Sequence, residues 1–151
     1  MNNKPVDQNL LDDIKVHVRI KISALWTTLV ACYIYADYFE LYVPGKLTDM
    51  LAQNIGPLGA VTQAKLIGTS ILLAIPILMV FLSLVLPSKI SRWANIVFGV
   101  VYALVAIATI CSPGAWIFYR FFCAVEIVLT LIIIWYAWHW PKKQIHQPNE
   151  C

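Results

Sequence analysis

Charge is what this chain has least of. Only 13% of its 151 residues are Asp, Glu, Lys or Arg, against 60% hydrophobic ones, well outside the range of a soluble globular domain. A water-soluble domain of this size has too little interior to hide so much apolar surface, so the solvent implied is lipid. The chain also lacks a glycine-rich phosphate loop and a basic patch interleaved with aromatics, which argues against nucleotide or nucleic-acid binding. Its four cysteines, Cys32, Cys111, Cys123 and Cys151, form no C-x-x-C pair and have no histidine at metal-ligand spacing. Nothing therefore points to a structural metal or a cofactor. Cys32 and Cys123 fall inside apolar runs and read as small buried hydrophobes.

Long hydrophobic runs are abundant. Four apolar stretches cover about 20–43, 65–86, 93–111 and 116–140, and mean hydropathy over the chain is +0.73. Each is close to the ~20 residues that carry a helix across the hydrocarbon layer. Pro44-Gly45, Pro87, Ser112-Pro113-Gly114 and Pro141 follow their ends, as helix stops should. The runs are continuous rather than alternating, which disfavours strand spans. The expected fold is all-α: an integral membrane four-helix bundle occupying 20–143, between an N-terminal segment (1–19) and a tail (144–151). The connection 44–62 is the longest, and Leu47, Met50, Leu51 and Asn54 predict a short surface helix there.

Orientation follows from the cations. Lys4, Lys15, Arg19, Lys21, Lys89, Arg92, Lys142 and Lys143 fall on one side, and Lys46, Lys65 and Arg120 on the other. This bias places both termini in the cytoplasm. Trp26, Trp93, Trp135, Trp138 and Trp140 cluster towards the inner boundary and Trp116 towards the outer one, in keeping with interfacial belts.

Against this apolar background, a few polar residues inside the spans stand out. On a helical wheel Ser23, Trp26, Tyr33, Asp37 and Glu40 share one face of the first span. Tyr119, Cys123, Glu126, Thr130 and Ala137 share a stripe of the fourth, with Arg120 about 120° away from it. Ionisable groups at membrane depth are costly unless paired or hydrated, and these lie in the outer half of the first and last spans. The candidate site is Asp37, Glu40, Arg120, Glu126, Tyr33 and Tyr119. Two readings stay open. Arg120 pairs with Asp37 or Glu40 and locks the two helices in register; or the cluster lines an outward-facing cavity for a small polar ligand or proton, with Glu126 at its floor. Pro76 is expected to kink the second span, its freed carbonyl served by a neighbour. Asn95, Gly99, Tyr102, Ala106 and Thr109 make a small, polar stripe suited to close helix contact. His139, among tryptophans, reads as an interfacial anchor.

The segments "IKISALW", "YIYADYFELYVPGK", "SILLAIPILMVFLSLVLP", "RWANIVFG" and "IIWYAWHWPKK" resemble an uncharacterised family of small bacterial four-span membrane proteins, over roughly residues 16–143. Its most distinctive element is D-x-x-E-L-Y-x-P-G, here Asp37, Glu40, Leu41, Tyr42, Pro44 and Gly45. The resemblance implies residence in the bacterial inner membrane and brings no activity. The leading expectation is a non-enzymatic membrane protein that locks its bundle or binds a small polar ligand. Its partners are the lipid bilayer and a possible second copy, with no nucleic acid. A small transporter working as an oligomer is the alternative, with self-association through the stripe on the third span. A quinone-linked thiol oxidase of this size would need cysteine pairs in its outer loops, which are absent.

Overall fold

The computed structural model describes residues 14–54, 59–112 and 114–141. It is helical throughout, with five helices among the described residues: α1 (Val18–Glu40), α2 (Lys46–Leu51), α3 (Gln63–Val85), α4 (Ser88–Ile110) and α5 (Ile117–Trp138). Local chemistry sets their ends. The His17 side chain accepts from the Arg19 amide and starts α1, and Thr62 does the same for Lys65 in α3. Gly45, at a left-handed φ of 85°, turns the chain from α1 into the short α2, and Gly114 (φ 89°) takes a similar conformation between α4 and α5. Asn54, expected in the surface helix, lies beyond it and pairs with Ala60 in an isolated bridge.

α3, α4 and α5 are each long and apolar enough to cross a membrane, with mean hydropathies of 2.4, 2.1 and 2.3 over their best windows. α1 has the length but not the apolarity. Arg19 and Lys21 begin it, Asp37 and Glu40 end it, and Ser23, Thr27 and Thr28 lie between. α4 begins directly after Pro87. Lys89 and Arg92, read from sequence as loop residues, therefore stand in its first turns. Arg92 does not simply face water either: its guanidinium lies over the Trp138 ring, 5.9 Å from the centroid.

α1 packs against α3 and α5, and α4 packs most extensively on α5, while α3 and α4 touch little. The α4–α5 contact is close because Gly99 faces α5. A Cβ at that position would stand 2.7 Å from Ile134 Cγ1. The centre is Ile22, Trp26 and Leu29 of α1, Met79 of α3, Tyr102 of α4, and Ile133 and Ala137 of α5. α3 contributes only its second half. Pro76, Met79 and Ser83 are buried, whereas residues 66–74 are exposed on every face.

Prolines decide where the interior hydrogen bonds go. Pro76 has no amide to offer the carbonyl four residues back, Leu72, and the Tyr102 hydroxyl donates to that oxygen instead. Pro87 likewise leaves the Ser83 carbonyl without its usual partner, and the Ser91 hydroxyl donates to it at 3.3 Å. Around this point a buried network forms. Trp26 Nε1 (2.6 Å) and Ser83 Oγ (3.0 Å) both donate to Asn95 Oδ1, and Asn95 Nδ2 donates to the Ser91 carbonyl (2.7 Å). Ser23 Oγ donates to Val80 O, and Arg19 donates to Leu84 O and Ser88 Oγ at the α3–α4 junction. In an apolar surrounding each such group left unmade is costly. The network therefore ties three helices together at the end where α3 meets α4.

Candidate functional site between the first and last long helices

The stripe Cys123, Glu126, Thr130, Ile133 and Ala137 is the buried face of α5. It meets the face of α1 that carries Trp26, Leu29, Tyr33 and Ala36. Glu126 is 4% exposed. It lies within electrostatic reach of Asp37, Tyr33 and Tyr119, and of the Cys32 and Cys123 thiols. Thr130, one turn on, spends its hydroxyl on the backbone carbonyls of Glu126 and Ile127, not on the carboxylate. Among the described residues the Glu126 carboxyl has neither an ion pair nor a hydrogen bond.

Asp37 stands nearer the end of α1 and is exposed. The Tyr119 side chain of α5 lies within electrostatic reach of its carboxylate. Tyr33 is half-buried, its ring 6.3 Å from that of Tyr102, which in turn meets Trp26 edge-on at 6.0 Å. A run of aromatic rings thus backs the cluster on the side of the core.

The expected cation is not there. Arg120 is exposed and pairs with neither Asp37 nor Glu40. The ion pair present among the described residues is Glu40 with Lys46, at 2.5 Å. The reason is local. Arg120 lies off the buried stripe of α5, while the turn at residues 41–45 folds Lys46 back over the end of α1, beside Glu40. Glu40 is thereby paired at the rim, where it still lies within electrostatic reach of Asp37 and Tyr119. Lys46 is the functional-looking residue that sequence reasoning missed, and the Pro44-Gly45 turn just before it was the signal. No group of three or more His, Cys, Asp or Glu side chains suited to a metal ion occurs among the described residues. Cys111 is exposed and free, as are half-buried Cys32 and buried Cys123; Cys151 lies outside the described residues.

Such an arrangement can accept a positive charge. Two carboxyls, exposed Asp37 and buried Glu126, stand near Tyr33 and Tyr119; the Lys46 ammonium acts on Asp37 from the rim, and no cation acts on Glu126. The sequence profile of DUF6326, a family of unknown function, matches residues 13–147. The chain belongs to that family. In this DUF6326 member the matched segment takes in all five helices and every residue of the carboxyl cluster. No curated protein and no solved structure matches the chain.

Proposed function

We propose that this DUF6326 protein is a four-span integral protein of the bacterial inner membrane, both termini cytoplasmic, whose carboxyl cluster takes up a proton or small cation from the outer side. Asp37 is the entry group, Glu126 the inner acceptor, and the Tyr33 and Tyr119 hydroxyls provide the polar lining between them. α1 is the fourth span: it has the length to cross, it packs against α3 and α5, and its charged residues stand at its two ends, Arg19 and Lys21 at one and Asp37 and Glu40 at the other. The orientation rests on the cation bias of the sequence.

A single observation carries the functional reading. Glu126 is almost wholly buried and has no cationic partner, whereas a helix lock would have placed one beside it. Infrared difference spectroscopy on reconstituted protein tests this. A change in outer pH, or addition of a small cation, should alter a carboxyl band that disappears in Glu126→Gln while the helical content is unchanged. Identical difference spectra for Glu126→Gln and the unmodified protein would refute it. Cysteines placed singly at Thr48 and Lys89, in a background whose four native cysteines are replaced by serine, test the orientation. The first should react with an impermeant maleimide on intact cells, the second only after permeabilisation.

An oligomeric transporter is the second reading, favoured by the outer half of α3. Residues 66–74 are exposed on all sides and open space surrounds a Cβ built at Gly68, leaving room for another helix to approach.

A further inference from the structure

Among the described residues, the end of the molecule opposite Asp37 and Glu40 carries charge of one sign. Lys15, Arg19, Lys21, Lys89 and Arg92 lie there, and the described carboxylates, Asp37, Glu40, Asp49 and Glu126, all lie elsewhere. Three of these cations are held against aromatic rings: Arg19 over Trp140 at 5.8 Å, Lys21 over Tyr136 at 5.5 Å and Arg92 over Trp138 at 5.9 Å. Lys89 is not held. It is exposed and makes no ion pair or hydrogen bond among the described residues.

Lys89 instead heads an outward-facing groove of about 450 Å³, continued by Ile90, Trp93, Ala94, Val97 and Phe98. The spacing i, i+1, i+4, i+5, i+8, i+9 is one face of α4, running from the polar end into the apolar length of a helix able to cross a membrane. Beyond the lysine the walls are hydrocarbon and indole. This shallow, open groove offers one positive point followed by roughly 12 Å of apolar surface along the helix axis.

We propose that this groove is a binding site for an anionic phospholipid, with the phosphate on Lys89 and one acyl chain lying along Trp93, Val97 and Phe98. The occupant follows from the chemistry. An acyl chain matches a channel parallel to a membrane-crossing helix. A net-negative headgroup matches an ammonium that pairs with no carboxylate among the described residues, and a zwitterionic headgroup would bring its own cation towards Lys15, Arg19, Lys21 and Arg92. One lysine at a charged lipid surface corresponds to about 1 kcal/mol, a roughly fivefold preference.

The test uses the full chain in vesicles containing lipids brominated on the acyl chain, whose bromines quench tryptophan on contact. The Trp93 contribution is the quenching lost in Trp93→Phe. It should be reached at a several-fold lower mole fraction of brominated phosphatidylglycerol than of brominated phosphatidylcholine. Lys89→Gln should bring the two lipids close to parity, and Lys89→Glu should reverse the order. Because Lys89 is exposed, both variants should keep the melting temperature of the unmodified protein, which excludes misfolding as the cause. Equal quenching by the two lipids would overturn the proposal. So would a preference that survives Lys89→Glu, or quenching that Trp93→Phe leaves unchanged.

Discussion

Tyr102→Phe removes one oxygen and leaves the ring. The ring is 2% exposed and meets Trp26 edge-on, so packing should survive. What is lost is the donor to Leu72 O, a carbonyl that Pro76 deprives of its usual helical partner. A carbonyl left unsatisfied in an apolar surrounding costs about 1–3 kcal/mol, while side-chain hydrogen bonds within membranes average nearer ~0.6, and Leu72 itself is exposed. α3 and α4 touch little, which gives the carbonyl some freedom to relax, so a loss of about 1 kcal/mol is expected. Pro76→Ala supplies the missing amide and makes the hydroxyl redundant. In that background Tyr102→Phe should therefore be nearly neutral. Detergent unfolding curves of the four proteins in this double-mutant cycle measure the coupling. If Tyr102→Phe costs the same with and without Pro76, the hydroxyl is not standing in for an amide and the reasoning fails.

Three other outcomes follow from the same contacts. Gly99→Ala puts a methyl 2.7 Å from Ile134 Cγ1 and should cost about 1–3 kcal/mol by overpacking, a loss that a second change, Ile134→Ala, should reduce in the same unfolding assay. Asn95→Leu strands the Trp26 indole N–H and the Ser83 hydroxyl; it should destabilise by about 1–3 kcal/mol and shift the Trp26 emission. Arg120→Ala should change stability by no more than about 0.5 kcal/mol, since Arg120 is exposed and unpaired, and a loss comparable to that of Asn95→Leu would restore the ion pair to Asp37.

The helices were legible because their apolar length and their proline and glycine ends are properties of consecutive residues. The buried stripe of α5 was legible for a similar reason: one helix's periodicity is enough to group Cys123, Glu126 and Thr130. Contacts between helices were harder, because the wheel of one helix does not give its rotation against another. Arg120 was assigned across the α1–α5 seam on depth and reach, and the competitor that decided the matter, Lys46, opens α2 directly after a turn whose path no periodicity describes. Pro76 announced a carbonyl in need of a donor, yet only the packing of α4 identifies Tyr102 as that donor.

Under the proposed function, the depth of Glu126 would make the cluster sensitive to voltage. It lies nine residues into α5, about 14 Å along a helix crossing a hydrocarbon layer of about 30 Å. A proton or cation reaching it from the outer side, as proposed, travels through somewhat under half of the membrane field. A full crossing is worth about 2.3 kcal/mol per 100 mV, so occupancy of Glu126 should carry about 1 kcal/mol per 100 mV, roughly a fivefold change in affinity. An interior-negative potential favours loading, and depolarisation favours release to the outside. The buried carboxyl would then report the energised state of the membrane as well as the composition of the medium.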